Sequence, residues 1–382
     1  MREVWFWQRI VSPHMAALAV ALARQGCNVV YVAEREMSEV RAGMGWRMPD
    51  LPGVDLHLAS TPAAMAQLAQ QAPAGAAHLC QGLRGNGCVG VAQRVLRRRR
   101  TRFWVVMEAV ADARRTGILK RALYRMLFRY WSSHLAGVLA IGASTSSWVV
   151  ARGVPAGSVF PFAYFLSPPG DAEGKANPSL LRPSDGDIRF LFVGRLDALK
   201  RVDLLLDALA DLRSAGVRTF RVQIVGQGPL QDALQAHAAK VLPGCVDWVG
   251  GLPMAQARLR MRDADCLVLP SDYDGWGAVV SEALMAGTPV VCSDACGAAA
   301  AVSASRAGGI FPAGDRAALA KRLAQVLDAG RQPDVAREAL ARWALALAAD
   351  AGAAYLRAVL GHAEGRRDRP APPWQAKAEA YK

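Results

Sequence analysis

The chain has 382 residues, of which 52% are hydrophobic and 20% are charged, and its formal net charge is +14 at pH 7. This composition excludes an intrinsically disordered chain, and the length accommodates two domains of ordinary size. No apolar run approaches the roughly 18 residues that span a bilayer, and the first residues lack the apolar core of a signal peptide. Seven cysteines without paired metal-ligand spacing predict reduced core thiols in a cytosolic protein.

The N-terminal half alternates strand and helix patterns, which predicts a parallel, doubly wound sheet. The predicted strands are 4–10, 28–32, 57–58, 77–80, 103–107, 137–141 and 159–162, and the predicted helices are 15–24 and 144–152. We expect these elements to form a Rossmann-like domain over residues 1–166. His78, within one of the weaker strands, is interpreted as a structural residue.

Basic residues cluster in two segments of this half. The clusters are Arg94, Arg97, Arg98, Arg99, Arg100 and Arg102, then Arg114, Arg115, Lys120, Arg121, Arg125 and Arg129. The second cluster is interleaved with aromatic and aliphatic residues, which is typical of a helix that binds an anionic membrane surface. The alternative is a solvated helix whose apolar face is core. No nucleic-acid-binding motif accompanies the charge, so we expect no nucleic-acid partner.

Residues 167–186 are rich in Pro, Gly, Ser and Asp, which predicts an interdomain linker. A second α/β run follows and predicts another Rossmann-like domain over 187–334. Its predicted strands are 188–193, 221–225, 246–248, 266–269 and 289–292, and its predicted helices are 202–215, 230–239, 254–262, 278–286 and 316–329. Residues 335–363 are predicted to be helical, and the polar, proline-containing segment 364–382 is predicted to be a disordered tail.

Two cations follow the first strand of this second run. Arg195 and Lys200 lie in V-G-R-L-D-A-L-K, on the loop that leads into the next helix. Two such cations could neutralise a diphosphate without any metal. The segment V-G-Q-G-P at 225–229 is another strand, glycine turn and helix at the same edge of the predicted sheet.

The most informative segment is 270–289, P-S-D-Y-D-G-W-G-A-V-V-S-E-A-L-M-A-G-T-P. Asp274 and Glu282 lie on either side of a glycine turn and the start of a predicted helix. They follow a buried strand, and open α/β sheets bind ligands at the carboxyl ends of their strands. Glycines beside a helix N-terminus suit a phosphate, and the two acids would bind hydroxyl groups on either side of it. The pattern indicates a nucleotide-sugar site.

Taken together, V-G-R-L-x-x-x-K, V-G-x-G-P and D-G-W-G-x-V-x-x-E-A-x-x-x-G-x-P-V-V resemble glycosyltransferase family 4 across roughly residues 188–330. The family consists of retaining, metal-independent enzymes of the GT-B fold. The resemblance therefore implies two Rossmann-like domains that face each other across a cleft, with the nucleotide-sugar in the second. It also implies that the helices of 335–363 return toward the N-terminal domain.

The resemblance implies roles for single residues. Arg195 and Lys200 would bind the diphosphate, Glu282 the ribose hydroxyls, and Asp274, which replaces the usual Glu, the transferred sugar. Further nucleotide-sugar-binding positions are Gly194, Gly226, Gly275, Trp276, Gly277 and Ala278. The side chains of Tyr273 and Trp276 either stack on the sugar or pack the turn.

The acceptor side departs from the family. The first loop, I-V-S-P-H, has no glycine, and its candidate acceptor residues are Ser12 and His14. His14 either orients an acceptor hydroxyl or caps the helix that begins near Met15. Glu108 stands where many relatives have a His. It could accept a sugar hydroxyl, act near the anomeric carbon as an acid or base, or only cap the following segment.

Two D-x-D segments, at 263–265 and 272–274, have the shape that metal-dependent transferases use. Divalent ions need several such oxygen ligands to converge, and Asp274 is better explained by its pairing with Glu282. We therefore expect no metal and no cofactor.

The sequence predicts a metal-independent, retaining transferase that moves a sugar from a UDP- or GDP-sugar to a saccharide acceptor. The acceptor would be a lipid-linked saccharide, lipopolysaccharide or exopolysaccharide, reached from the cytoplasmic face of a bacterial inner membrane. The alternatives are a sugar-nucleotide epimerase of the same fold and a non-catalytic paralogue that binds nucleotide-sugar.

Overall fold

The computed structural model describes residues 2–37, 48–112, 117–168, 187–216 and 219–376. The chain divides into two compact units. The first unit comprises Met1–Ser167 and Leu347–Pro373, and the second comprises Pro168–Ala346 and Trp374–Lys382. The predicted linker lies, from residue 169 onward, outside the described residues.

The first unit is built around a seven-stranded parallel sheet in the order β3-β2-β1-β4-β5-β6-β7. Its strands are β1 (Glu3–Ile10), β2 (Asn28–Arg35), β3 (Val54–Leu58), β4 (Ala77–Gln81), β5 (Phe103–Glu108), β6 (Leu135–Ile141) and β7 (Val159–Phe162). Its helices are α1 (Pro13–Arg24), α2 (Pro62–Gln71), α3 (Val89–Arg98), α4 (Gly117–Trp131) and α5 (Thr145–Val150). The central strands are near-continuous apolar runs, as expected of a parallel sheet covered on both faces.

The second unit holds a six-stranded parallel sheet in the order β10-β9-β8-β11-β12-β13. Its strands are β8 (Ile188–Val193), β9 (Phe220–Val225), β10 (Val246–Gly250), β11 (Cys266–Leu269), β12 (Val290–Ser293) and β13 (Gly308–Phe311). Its helices are α6 (Val202–Ser214), α7 (Gln231–Val241), α8 (Met254–Asp263), α9 (Ala278–Met285), α10 (Ala299–Ser305), α11 (Arg316–Ala329) and α12 (Asp334–Ala344). Both strand orders reverse direction once, as doubly wound sheets do, so the predicted fold class is confirmed.

The segment predicted to be helical over 335–363 is divided between the units. Helix α12 belongs to the second unit, whereas α13 (Ala349–Ala363) belongs to the first. In the first unit the Tyr355 hydroxyl donates to the carbonyl of Pro161 at 3.0 Å. A Cβ at Gly352 would lie 2.3 Å from the Phe165 ring, so only glycine permits this close approach.

The tail predicted to be disordered over 364–382 is ordered as far as residue 376. Arg369 donates to the carbonyls of Gly157 and Val159 in the first unit. A short helix, α14 (Pro373–Ala376), carries Trp374, whose side chain is only 2% exposed. The polar composition predicted disorder, but one buried tryptophan and one arginine bound to backbone carbonyls anchor the segment. Residues 377–382 lie outside the described residues.

Candidate active site

Two loops meet at the carboxyl edge of the second sheet. One follows β8 and the other follows β11, and these strands are neighbours. The backbone N–H of Asp272 donates to the carbonyl of Leu199 at 2.8 Å. The Arg201 guanidinium donates to Asp272 at 3.0 Å. The sheet order therefore joins two motifs that lie some 70 positions apart in the sequence.

Lys200 and Asp274 form the central contact between these loops. The Lys200 Nζ donates to the Asp274 Oδ2 at 2.5 Å, and both side chains are mostly buried. The structure thus brings together the cation predicted to bind phosphate and the carboxylate predicted to bind the sugar. A ligand with a diphosphate next to a hydroxylated ring matches this pair of charges.

Arg195, the second predicted cation, lies in the same loop as Lys200. Its side chain is 47% exposed, and its Nε lies 3.6 Å from the Asp197 carboxylate. A half-exposed guanidinium with such a loose contact can turn to a bound phosphate at little cost, since surface ion pairs contribute only about 0–1 kcal/mol.

Glu282 lies on α9 beside an arginine that the sequence did not single out. The residue is 4% exposed, and its Oε1 lies 3.6 Å from the Arg258 Nη2 on α8. A buried carboxylate is costly unless a cation balances it, so Arg258 keeps the Glu282 charge tolerable in the folded protein. Helix α8 carries three arginines, at 258, 260 and 262, and their spacing alone does not show which one faces Glu282.

Two of the predicted glycines, Gly226 and Gly277, allow neighbouring loops to pack closely. Gly226, after β9, has φ +143°, and a Cβ there would lie 1.8 Å from the Gly194 carbonyl oxygen. Gly277, immediately before α9, has φ +83°, and a Cβ there would lie 2.8 Å from the Cys296 Sγ. Both positions require glycine for the loop geometry itself, independently of any ligand.

The tryptophan side chain of the turn at 275–278 faces inward, which leaves the backbone of the turn available to a ligand. The Trp276 indole N–H donates to the Ser281 Oγ at 3.0 Å, and its ring lies 5.8 Å from the Trp374 ring. Of the two interpretations of this side chain, the structure therefore shows packing of the turn. Ala278 is the first residue of α9, so this turn leads directly into a helix N-terminus, where an anion is favoured.

In the D-x-D segments, Asp265, Asp272 and Asp274 have cationic partners, and that of Asp274 is Lys200. Asp272 pairs with Arg201, and Asp265, which is buried, pairs with Arg331 at 3.1 Å. In the described ranges, no three His, Cys, Asp or Glu side chains lie together in a way that could hold a metal ion.

Three thiols lie in or beside this strand region: Cys266, Cys292 and Cys296. Burial raises the pKa of Cys266 to about 12. A hydrogen bond with Cys296 and burial raise the pKa of Cys292 well above its ordinary value. The Cys266 and Cys292 thiols therefore stay protonated at neutral pH, and all seven cysteines are free.

The first unit gathers three polar side chains at its own carboxyl edge. Glu108 ends β5, and the Tyr164 hydroxyl donates to its Oε1 at 2.7 Å. The His14 ring stacks on the Tyr164 ring at a centroid distance of 5.0 Å. Tyr164 was missed in the sequence because it lies two residues past β7 in F-A-Y-F, which resembles core.

Two hydroxyl groups accept backbone N–H groups in the segments next to His14 and Glu108. The Ser12 Oγ accepts the Met15 N–H at 3.3 Å, so Ser12 is the cap of α1. The Thr145 hydroxyl accepts the N–H of Ala109 at 2.9 Å, so Thr145 holds the segment after β5. Tyr164 contacts both His14 and Glu108.

The sequence of the second unit is similar to that of known proteins. Residues 177–343 match the family described as "Glycosyl transferases group 1". The chain is 37% identical over 165 residues to a glycogen synthase of Mycobacterium tuberculosis. That match covers 42% of this chain and 39% of the relative, so it spans about two fifths of the relative's length.

Two solved structures resemble nearly the whole chain. One is the apo form of WaaB, a lipopolysaccharide outer core galactosyltransferase, and it has a TM-score of 0.68 and 15% sequence identity. This match covers 95% of this chain and 99% of that one. The other, HepE of Anabaena in complex with UDP, has a TM-score of 0.70, 15% identity and coverage of 95% and 100%. The fold is GT-B, and the predicted resemblance to glycosyltransferases is confirmed.

Proposed function

We propose that this protein transfers a sugar from a nucleoside diphosphate sugar to a saccharide acceptor, on the premise that its residues 177–343 belong to the group 1 glycosyl transferases. The donor would be a UDP- or GDP-sugar, and the transfer would retain the anomeric configuration without a metal. The acceptor would be a lipid-linked saccharide, a lipopolysaccharide or an exopolysaccharide. Support for the donor comes from the edge of the second sheet.

The observation that carries the proposal is the Lys200–Asp274 ion pair at 2.5 Å. A donor's diphosphate would take Lys200 from Asp274, and the released carboxylate would then accept hydroxyl hydrogens of the sugar. Arg195, in the same loop, would bind the other side of the diphosphate. Glu282, held by Arg258, would accept the ribose hydroxyls.

The reaction would proceed on one face of the sugar. The bond between the anomeric carbon and the phosphate oxygen breaks, and the acceptor oxygen forms its bond to the same face. The acceptor proton passes to the departing phosphate oxygen. Lys200 and Arg195 would stabilise the negative charge that develops on the diphosphate, which is the kind of electrostatic effect that lowers barriers most.

The first unit would hold the acceptor. Glu108, Tyr164 and His14 form a chain of a carboxylate, a phenol and an imidazole. Glu108 ends β5, Tyr164 lies two residues past β7, and His14 lies in the first turn of α1. Such groups bind and orient hydroxyls well. Glu108 would hold the Tyr164 hydroxyl in place, and His14 would contact the acceptor.

Helix α4 supports contact with a membrane surface. Its buried residues, Tyr124, Phe128 and Trp131, occupy one face. Four other apolar side chains are exposed: Ile118 (68%), Leu119 (72%), Met126 (63%) and Tyr130 (52%). A helix turns about 100° per residue, so these four span an arc of about 120° opposite the buried face.

Basic residues flank this exposed stripe. Arg121, Arg125 and Arg129 are exposed on α4, and the Arg97 guanidinium stacks on the Tyr130 ring at 3.9 Å. An apolar stripe bordered by arginines suits the interface of an anionic bilayer. In the described part of the chain, no helix has the length and apolar character needed to cross a membrane.

The test is nucleotide release. Purified protein is incubated with UDP- and GDP-sugars and a membrane extract in the presence of EDTA, and the released diphosphate is measured. We expect release with one donor, and a loss of about 10²-fold or more in Lys200→Ala and in Glu282→Ala. Lys240→Ala, an exposed cation on α7 of the same unit, serves as the control and should keep full activity.

Full activity in both site variants would refute the donor-site assignment. Turnover of UDP-sugar without any acceptor would indicate an epimerase. Binding of nucleotide without transfer from any donor would indicate a non-catalytic paralogue.

A further inference from the structure

A cavity of about 490 Å³ lies in the second unit, away from the residues assigned to the donor. Its wall is formed by the turns before β12 and β13 and by helices α11 and α12. The residues that define its chemistry are Asp265, Arg306, Arg322, Val326, Arg337, Leu340 and Trp343. The volume falls within the range of about 300–1,000 Å³ that is typical of small-molecule sites.

The cavity lies at the opposite edge of the sheet from the donor site. Asp265 precedes β11, Pro289 precedes β12 and Ala307 precedes β13, so the cavity faces the amino ends of these strands. Lys200 and Asp274 follow the carboxyl ends of β8 and β11. Because all six strands are parallel, a four-residue strand of about 13 Å separates the two edges. A ligand in the cavity would not overlap the donor.

The charges of the wall are mainly positive. Arg306, Arg322 and Arg337 line the cavity, and Asp265 is the acid among them. The Asp265 carboxylate already pairs with Arg331 and accepts the N–H of Arg189. The wall therefore keeps an excess of positive charge that suits an anionic group.

The three arginines differ in how firmly they are held. Arg337 is buried and donates to the carbonyls of Arg262 and Ala264 and to the Thr288 hydroxyl. Arg322 is exposed on α11, where its Nε donates to the Ile310 carbonyl at 3.0 Å and its Nη1 donates to the Gln325 side chain at 3.1 Å. Arg306 is exposed at the end of α10, so its guanidinium is the one that can turn toward a ligand. Arg322 contributes its charge from its held position.

The remaining wall is apolar, with one buried donor. Val326, Leu340 and Trp343 face the cavity, and Trp343 is 4% exposed. Among the described residues, the buried Trp343 indole N–H has no hydrogen-bond partner. The indole nitrogen is itself inaccessible to solvent, so Trp343 offers the cavity its apolar ring and not its N–H.

We propose that this cavity is a second ligand site, for a small organic anion with an apolar ring. The ring would pack on Val326, Leu340 and Trp343. The phosphate or carboxylate would bind Arg306 and Arg322. The site does not depend on the transferase assignment.

The test uses 1-naphthyl phosphate as an anionic aromatic probe and 1-naphthol as its neutral counterpart, both titrated by calorimetry into the whole protein. We expect one saturable site for the phosphate, with a Kd below about 1 mM. Saturating UDP should leave this binding unchanged, because the two sites lie at opposite edges of the sheet. The neutral probe should bind more weakly.

Substitutions in the cavity wall test whether the probe binds in the cavity or elsewhere on the protein surface. Val326→Trp, which places a large ring where the ligand's ring would pack, should abolish binding. Arg306→Gln and Arg322→Gln should each weaken it by about fivefold or more. Arg316→Gln, on α11 but paired with Asp211 outside the cavity, should bind normally.

Displacement of the probe by UDP would overturn the proposal, and so would unchanged binding in Val326→Trp. An absence of saturable binding in the wild-type protein would overturn it too. Thermal unfolding of each variant, measured in parallel, shows that a loss of binding does not reflect a loss of the fold.

Discussion

Substitutions at Asp274 test the proposal that Asp274 binds the sugar of the donor and Lys200 binds its diphosphate. The Asp274 carboxylate pairs with Lys200, and in the proposed complex the donor's diphosphate would take Lys200 from it. Asp274→Asn removes the charge and keeps the shape, so we expect kcat/KM to fall by about 10²-fold. The affinity for the nucleoside diphosphate alone should stay the same or rise, because Lys200 no longer has a competing partner.

Asp274→Glu is the matched variant. It keeps the charge and restores the family's usual residue, so substantial activity should remain, with a changed preference among donor sugars. Steady-state kinetics and calorimetry with the nucleotide separate the two effects. A weakened nucleotide affinity in Asp274→Asn would show that Asp274 does not act on the sugar side.

Gly277 is a second residue whose role can be measured. Gly277→Ala places a methyl group 2.8 Å from the Cys296 Sγ at a backbone φ of +83°. Gly244→Ala is the control, since its φ is +73° and its added methyl group meets nothing within 4 Å. The control should lose about 1 kcal/mol of unfolding free energy from backbone strain alone.

Gly277→Ala should lose a further 1–3 kcal/mol or so from overpacking. Urea unfolding of the two variants gives the comparison. Equal losses would show that the turn yields to the added methyl group without cost.

His78 makes the first unit sensitive to acid. The Trp7 indole donates to its Nδ1 at 3.3 Å, and its Nε2 lies 3.0 Å from the Pro73 carbonyl oxygen. Burial lowers the pKa of His78 from 6.5 to about 4. Between these values the unfolded chain binds a proton that the folded chain does not, so stability falls as the pH drops from about 6.5 toward 4.

This one residue should account for about 3 kcal/mol of that loss. His78→Gln cannot titrate, so its unfolding free energy should fall less steeply over the same interval. Urea unfolding at several pH values gives both slopes. Parallel slopes for the two proteins would contradict the assignment.

At the level of elements, α4 carries the membrane proposal. Ile118→Ser with Leu119→Ser replaces two apolar side chains that are 68% and 72% exposed. We expect binding to vesicles of anionic lipid to weaken by about tenfold or more, since each such side chain gains on the order of 1 kcal/mol on burial. Binding should also weaken as salt rises.

The control for this element is Val335→Ser. Val335 is also exposed, at 71%, but lies on α12 in the second unit. Vesicle flotation of both variants is the measurement. Equal binding of the wild type and the α4 variant would remove the case for a membrane surface.

The elements also show what the sequence could predict. Strands with strong apolar runs, such as Val159–Phe162 and Cys266–Leu269, were located to the residue. Helix α2 was missed although Thr61 caps it and Pro62 begins it, a start signal that its alanine-rich composition obscured. Strand β13 was missed because G-G-I-F offers two glycines and little β propensity.

Within the site, too, the sequence revealed some residues and not others. Lys200, Asp274 and Glu282 belong to local motifs, so their spacing revealed them. Arg258 and Tyr164 act through partners distant in the chain, and only the packed structure shows those partners. The ordered segment 364–376 follows the same logic, because its anchor, Trp374, is a single residue in a polar stretch.

At the scale of the whole molecule, each unit contributes a different part of the proposed reaction. The second unit holds every residue assigned to the donor, and the first holds Glu108, Tyr164 and His14. The chain enters the second unit after Ser167 and returns to the first at Leu347. In the proposed reaction, substitutions in the second unit should therefore change donor binding, and substitutions in the first unit should change acceptor binding.

The central claim is that the carboxyl edge of the second sheet binds a nucleoside diphosphate sugar. The most direct measurement is a crystal structure of the protein with its donor nucleotide. The account predicts the diphosphate within hydrogen-bond distance of Lys200, about 2.7–2.9 Å, and beside Arg195, with the ribose at Glu282. A diphosphate bound more than a side chain's length from all three residues would contradict it.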